Sequence, residues 1–321
     1  MVSLGTNKVF AEGIVQNIKE YLPDEFQDVE CTVVESQKNN GTIMTGVNFG
    51  MPDKSISSTI YTDPFYDEIR HGKSIETVMK EIADFFLKVN ERHNIVDKVD
   101  FLEYETVKHY IEPVLVNQKA NQRMLYRMPY KRVQDLAVIY KIVFPYDVGR
   151  ASMNITNEMI KAWKIPLPEI HKVAFENGVR RHPAVLQSME TVIQGIQFNK
   201  TPTENLMNEN EKMDYDELFV LSNSDQTNGA TVLIYPDILK RIDEKFDGGC
   251  YILPSSVHEC IVVPKNLGMT PKELGKLVRE VNASEVAREE VLSDRVYEYD
   301  RVRNCLSQVE ASIEKERNME R

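Results

Sequence analysis

Residues 28–49 read DVECTVVESQKNNGTIMTGVNF, and the way this stretch is parsed decides the fold class. Two runs rich in Thr, Val and Ile flank Lys38-Asn39-Asn40-Gly41. Asn-Gly supplies the positive φ angles of a tight hairpin turn, so the runs are predicted to pair antiparallel. Upstream, residues 7–22 place Phe10, Ile14, Ile18, Tyr21 and Leu22 on one helical face, and Pro23 stops the helix. Downstream, SSTIYTDPF (57–65) reads as a further short strand. Ser74 then caps a helix over 74–93 whose buried face is Ile75, Val78, Met79, Ile82, Phe86 and Val89. Helix, strands and helix form an N-terminal α+β unit, residues 1–95.

The same reasoning extends along the chain. A short amphipathic helix is predicted from Phe101 to Ile111, ended by Pro113. VQDLAVIYKIVFP (133–145) is a strand, and ASMNIT (151–156) is its partner. Helices follow at 157–165 and 168–179, with Gly178 as terminator. These make a central unit, residues 96–200. A polar, acidic loop (198–217) leads to a C-terminal unit, residues 215–300, and a charged, fraying tail, 301–321. In that last unit ELFVLSNS and TVLIYP are predicted strands joined by DQTNGA. DILKRIDEKF is a helix and CYILPSSVHECIVVP (250–264) a single strand; from Pro271 through Arg301 the chain is predicted helical. Strand, strand, helix would thus occur twice, near 133–178 and 217–247. The strict strand–helix alternation of a doubly wound sheet is absent. The fold class is α+β, with mixed or mainly antiparallel sheets and helices packed largely on one side.

Composition narrows the function. In 321 residues the formal net charge is -11, which repels phosphate unless basic residues gather on one face. Cys31, Cys250, Cys260 and Cys305 lack CxxC spacing, so reduced thiols are expected rather than a disulfide framework or zinc knuckle. The start, MVSLGTNKVFAEG, has no secretory pattern, and no apolar run approaches the roughly 20 residues of a membrane span. A cytoplasmic protein without membrane association is the expectation.

Three groups of residues carry candidate chemistry. On strand alternation, Ser256, His258 and Cys260 of SSVHEC would share one face and Glu259 the other. His258 as general base with Ser256 or Cys260 as nucleophile would be a hydrolase or transferase dyad. Its acid would have to come from elsewhere, such as Asp225 or Asp237. HGKS (71–74) is not a phosphate loop, because Asp67 stands where the pattern needs glycine. No HExxH or other ligand spacing is present, DYDE (214–217) lacks the spacing of a calcium loop, and neither metal nor cofactor is implied. Residues 117–132, NQKANQRMLYRMPYKR, carry Lys119, Arg123, Arg127, Lys131 and Arg132 with no acid. If helical, four-residue spacing would align the first four, and Tyr126 and Tyr130 would add stacking surfaces.

Several phrases also occur together in a recognisable order: KNNG with TGVNF, STIYTDPFYDEIRHG, MPYKRVQDLAVIYKI, NITNEMIKAW, NGATVLIYPDIL, YILPSSVHECIVVP and VNASEVAREEVLSDRVYEYDR. Over residues 25–301 the chain resembles an uncharacterised family from anaerobic Gram-positive bacteria, a domain of unknown function often found near mobile genetic elements. Where that family's TNE phrase continues to a histidine, this chain has Met159, so no catalytic role of such a histidine carries over. The resemblance implies a setting but no mechanism. With no complete catalytic constellation, the leading reading is an intracellular interaction protein with a protein partner, possible service to a mobile element being the family's contribution. The His258 enzyme is the alternative, and nucleic-acid binding through 119–132 is a second one that the net charge opposes.

Overall fold

The computed structural model describes residues 6–52, 57–90, 99–146, 149–198, 204–208, 217–246 and 248–309. The predicted acidic loop lies mostly outside these residues, as do DYDE from 214 to 216 and the end of the tail from 310. The chain forms two compact units. One comprises Met1–Phe101 with Phe144–Ala151, and the other Leu102–Val143 with Ser152–Arg321.

In the first unit α1 (Asn7–Asn17) begins at Thr6, whose side chain accepts the Val9 amide. The hairpin forms as its turn chemistry dictates. β1 (Glu30–Gln37) and β2 (Ile43–Gly50) pair antiparallel around Asn40 and Gly41, with φ of 56° and 73°. β3 (Ser58–Tyr61) adds to β2, again antiparallel. α2 (Asp63–Arg70) and α3 (Ile75–Asn90) follow, and the Ser74 hydroxyl accepts the Thr77 amide at the start of α3. Ile14, Ile18, Val47, Phe49, Ile82 and Phe86 fill the core, with Phe49 stacked on Phe86 and Phe26 meeting it edge-on. Ile75 is exposed, and Ala83 takes an inward position on α3 instead.

The remaining elements are α4 (Tyr104–Val107), β4 (Ile111–Asn117), α5 (Gln122–Leu125), β5 (Lys131–Val133), β6 (Leu136–Tyr146), β7 (Gly149–Asn154), α6 (Asn157–Trp163) and α7 (Leu167–Arg181). After them come β8 (Ala184–Ser188), α8 (Met189–Phe198), β9 (Phe219–Asn223), α9 (Ile238–Lys245), β10 (Cys250–Leu253), β11 (Cys260–Pro264), α10 (Pro271–Ser284), β12 (Tyr297–Asp300) and β13 (Cys305–Gln308). β6 pairs with β4, β5 and β7. A six-stranded antiparallel sheet runs β13-β12-β10-β11-β9-β8. The architecture is α+β with antiparallel sheets.

Several expectations fail for identifiable reasons. Residues 101–111 hold one α-helical turn and a 3₁₀ turn (Lys108–Tyr110) before β4, which runs through Pro113 because β4 lies at the edge of its sheet, where a residue that cannot donate is tolerated. α7 continues past Gly178 to Arg181. A Cβ on Gly178 would stand 2.8 Å from the Tyr235 hydroxyl and 3.1 Å from Pro113 Cδ, so this glycine serves close packing and not helix termination. The predicted strand TVLIYP is a 3₁₀ helix (Gly229–Ile234), so the second strand-strand-helix repeat does not exist. CYILPSSVHECIVVP is two strands with a connection between them. α10 ends at Ser284, and residues predicted helical beyond it supply β12.

The predicted tail also contributes β13, held at the sheet edge by a partly buried polar knot. Asp135, in the β5–β6 turn, accepts from the Tyr297 hydroxyl, from Ser293 Oγ at 3.0 Å and from Gln308 Nε2 at 2.6 Å. Gln134 Nε2 donates to the Leu306 carbonyl at 2.7 Å. Tyr297 is fully buried, and burial followed by the Asp135 charge pushes its hydroxyl's pKa far upward, so it remains a donor.

Candidate functional site

The connection between β10 and β11 carries Ser256 and His258. Strand alternation therefore does not govern them, and Cys260 already belongs to β11. Ser256 bridges to Val291, and its Oγ accepts the His258 backbone amide at 3.0 Å. The Asn228 amide donates to His258 Nδ1 at 3.3 Å. With that lone pair engaged, the neutral ring carries its proton on Nε2, which faces Glu290 Oε1 at 3.5 Å. Neither ring nitrogen offers a lone pair to a hydroxyl or thiol. Cys260 is completely buried, and burial followed by the Glu259 charge raises its thiol well above the ordinary range. Asp225 pairs with His182 instead, and Asp237 sits at the N-terminal boundary of α9 in a left-handed conformation. The proposed dyad is not assembled. On this arrangement Cys250 and Cys260 are expected to resist iodoacetamide in the folded protein, while the half-buried Cys31 and Cys305 react first. Mass spectrometry of the alkylated peptides checks this; rapid labelling of Cys260 in the folded protein would restore it as a nucleophile.

A different histidine holds a charged cluster that the sequence did not reveal. His182, just past α7, places Nε2 2.9 Å from Glu112 Oε1 and Nδ1 3.1 Å from Asp225 Oδ2. Arg181 donates to the same Glu112 oxygen at 3.1 Å. Burial pushes the Glu112 carboxyl upward, but His182 and then Arg181 outweigh it and hold the group below the ordinary carboxylate range. The two carboxylates occupy opposite ring nitrogens, so they cannot converge on one metal ion with His182. Among the described residues no group of three or more His, Cys, Asp or Glu side chains could hold a metal.

The basic segment folds differently from its helical projection. α5 is four residues long, Pro129 ends any continuation, and Lys131 and Arg132 belong to β5. The cations therefore do not form one helical stripe. All five are nevertheless exposed, and among the described residues none makes an ion pair with a carboxylate. Arg132 Nε donates to the Gln134 carbonyl at 2.8 Å, and Arg127 feels Glu158 electrostatically. Tyr126 is 86% exposed. It stands at a groove of about 660 Å³ lined by Gln118, Gln122, Leu125, Tyr126, Met128, Pro129, Tyr130, Asn157, Ile160 and Leu167. Two contacts fix the wall: the Asn157 amide donates to the Arg127 carbonyl at 3.0 Å, and Asn157 Nδ2 donates to the Tyr126 carbonyl at 3.2 Å. The groove is thus a junction between the 119–132 segment and the start of α6.

Residues 7–301 match the family model described as a family of unknown function, DUF5688. The chain belongs to this family. No curated protein and no solved structure matches it. Membership in DUF5688 covers nearly all of the chain, including the groove, the His182 cluster and the β10–β11 connection, and assigns none of them a role. Among the described residues no helix is long and apolar enough to cross a membrane.

Proposed function

We propose that this DUF5688 protein is an intracellular binding protein that captures an acidic segment of a partner protein in the Tyr126 groove. The family resemblance adds anaerobic Gram-positive bacteria as its source and service to a mobile element as its setting. One observation carries the reading. Lys119, Arg123, Arg127, Lys131 and Arg132 stay exposed and, among the described residues, form no ion pair with a carboxylate, on a chain of net charge -11. In a chain with fifty acidic residues this patch stays positive, which suits an anionic partner.

The groove's lining separates two anionic partners. Leu125, Met128, Pro129, Ile160 and Leu167 offer aliphatic contacts for apolar side chains of a peptide, with Gln118, Gln122 and Asn157 as amide partners for its backbone. Nucleic-acid bases would use the faces of Tyr126 and Tyr130, but the protein's overall charge repels a long polyanion. The peptide reading is therefore favoured.

Selection of binders from a random peptide display library is expected to enrich acidic residues next to Leu, Ile or Phe. The double variant Arg123→Glu/Arg127→Glu should weaken the selected peptide at least about tenfold, mainly through slower association. An oligothymidylate, titrated in parallel, should bind more weakly than the peptide. Failure to enrich acidic sequences, or tighter oligonucleotide binding with a steep salt slope, would replace this reading by the nucleic-acid one.

A further inference from the structure

The second unit also contains a separate cleft of about 400 Å³, with Val133, Val138, Phe175, Leu233 and Leu239 among its apolar lining. His171, Phe175 and Tyr235 form an aromatic wall, with ring centroids 4.3 Å apart for His171 and Phe175 and 6.1 Å for Phe175 and Tyr235. The size falls within the range of small-molecule sites, and the lining has their usual character, apolar with a few polar groups.

Those polar groups converge in an unusual way. The buried Tyr140 hydroxyl lies 2.8 Å from His171 Nδ1. Burial raises the pKa of that hydroxyl, so it keeps its proton, and burial followed by the Lys131 charge lowers His171, so the ring is neutral near pH 7. If the tyrosine donates to Nδ1, its buried proton is satisfied and the imidazole proton sits on Nε2. The reverse arrangement leaves the buried O–H unmatched, at a cost of about 1–3 kcal/mol. Nε2–H then faces the Lys131 ammonium at 3.5 Å. Nε2 and the Lys131 ammonium are 3.5 Å apart, a spacing at which one oxygen can lie about 2.8 Å from both. Of the cleft's other charged groups, Lys240 lies 3.9 Å from Glu244, and Asp237 stands opposite in sign to Lys131.

We infer that this cleft binds a small organic anion, its carboxylate or phosphate head held by Lys131 and His171 and its ring-sized apolar body laid along Phe175 and Tyr235. Cys305 also lines the cleft and serves as a reporter.

Calorimetric titration of the full chain with benzoate, phenyl phosphate and inorganic phosphate tests the assignment. Benzoate and phenyl phosphate identify whether the head is carboxylate or phosphate, and either should slow alkylation of Cys305 by iodoacetamide. Lys131→Met should weaken the bound probe about tenfold or more, and His171→Phe should do likewise. Lys131 is exposed, so its variant reports on binding without disturbing the core. Arg123→Glu/Arg127→Glu should leave probe affinity unchanged, which separates this site from the peptide groove. No binding of either organic probe at millimolar concentration would overturn the inference, as would affinity indifferent to Lys131→Met. Inorganic phosphate binding as tightly as phenyl phosphate would remove the apolar part of the site.

Discussion

Replacing Gly229 by alanine is expected to destabilise the second unit by about 4 kcal/mol, enough to lower its melting temperature by roughly 10 °C. A Cβ built at this position would stand 2.0 Å from Ser222 Oγ, 2.3 Å from the His258 carbonyl oxygen and 2.8 Å from the Asn223 amide nitrogen. The glycine lies at the start of the 3₁₀ helix that follows β9, where Ser222 Oγ donates to the His258 carbonyl at 2.8 Å. Three strands of backbone meet there with no space for a methyl group, and two of the three obstacles are main chain that cannot rotate away. Adding Ser222→Gly removes the nearest atom but not the His258 carbonyl, so the double variant should recover only part of the loss. Thermal unfolding followed by circular dichroism measures both. A Gly229→Ala protein as stable as the parent would show that the β10–β11 connection yields readily.

Glu112→Ala is expected to destabilise by about 3 kcal/mol at neutral pH, because it leaves His182 and Arg181 in a largely buried setting without their shared acceptor. Glu112→Gln should cost less, since its amide oxygen still accepts one hydrogen bond. The pH dependence has a definite sign. The folded-state pKa of Glu112 is depressed below its unfolded value of about 4.3, so the unfolded state takes up the proton first as pH falls. Its ionisation therefore adds stability fully above that unfolded value, and the contribution is lost as pH drops through the lower folded one. Urea denaturation of parent and Glu112→Ala should show a gap at pH 7 that narrows in acid below about pH 4. A gap independent of pH would mean that Glu112 contributes through packing alone.

Local chemistry made much of the fold legible. The Asn40-Gly41 turn, the Ser74 cap and the periodic face of α3 each rest on interactions within a few residues, and each forms. Readings that depended on partners distant in sequence fared worse. Val232, Leu233 and Ile234 have strand propensity, yet they coil because Gly229 and Ala230 are pressed against the β10–β11 connection, where the Ala230 amide reaches the Val257 carbonyl at 3.2 Å. Residues 284–301 have helical charge spacing, yet Tyr297 is drawn into the sheet by Asp135, 162 positions away. Pro113 read as a stop, and pairing with β6 made it part of a strand.

The candidate sites divide in the same manner. The basic segment was visible as composition, since five cations without an intervening acid need no partner to be noticed. The His182 cluster was not visible, because Glu112, His182 and Asp225 are separated by 70 and 43 positions and none belongs to a motif. Nor was the meeting of Lys131 with His171, which is set by the approach of β5 to α7.

By itself the sequence determined the antiparallel α+β character, the element caps and the existence of a positive patch, because these follow from nearest-neighbour geometry and charge. Only the tertiary structure decided which polar side chains meet. It separated Ser256 and His258 from Cys260 by ending a strand at Leu253, and it set His182 between two carboxylates. Hydrogen-bond reach is about 3 Å in space and indifferent to distance along the chain, so chemistry at these sites is fixed by packing alone.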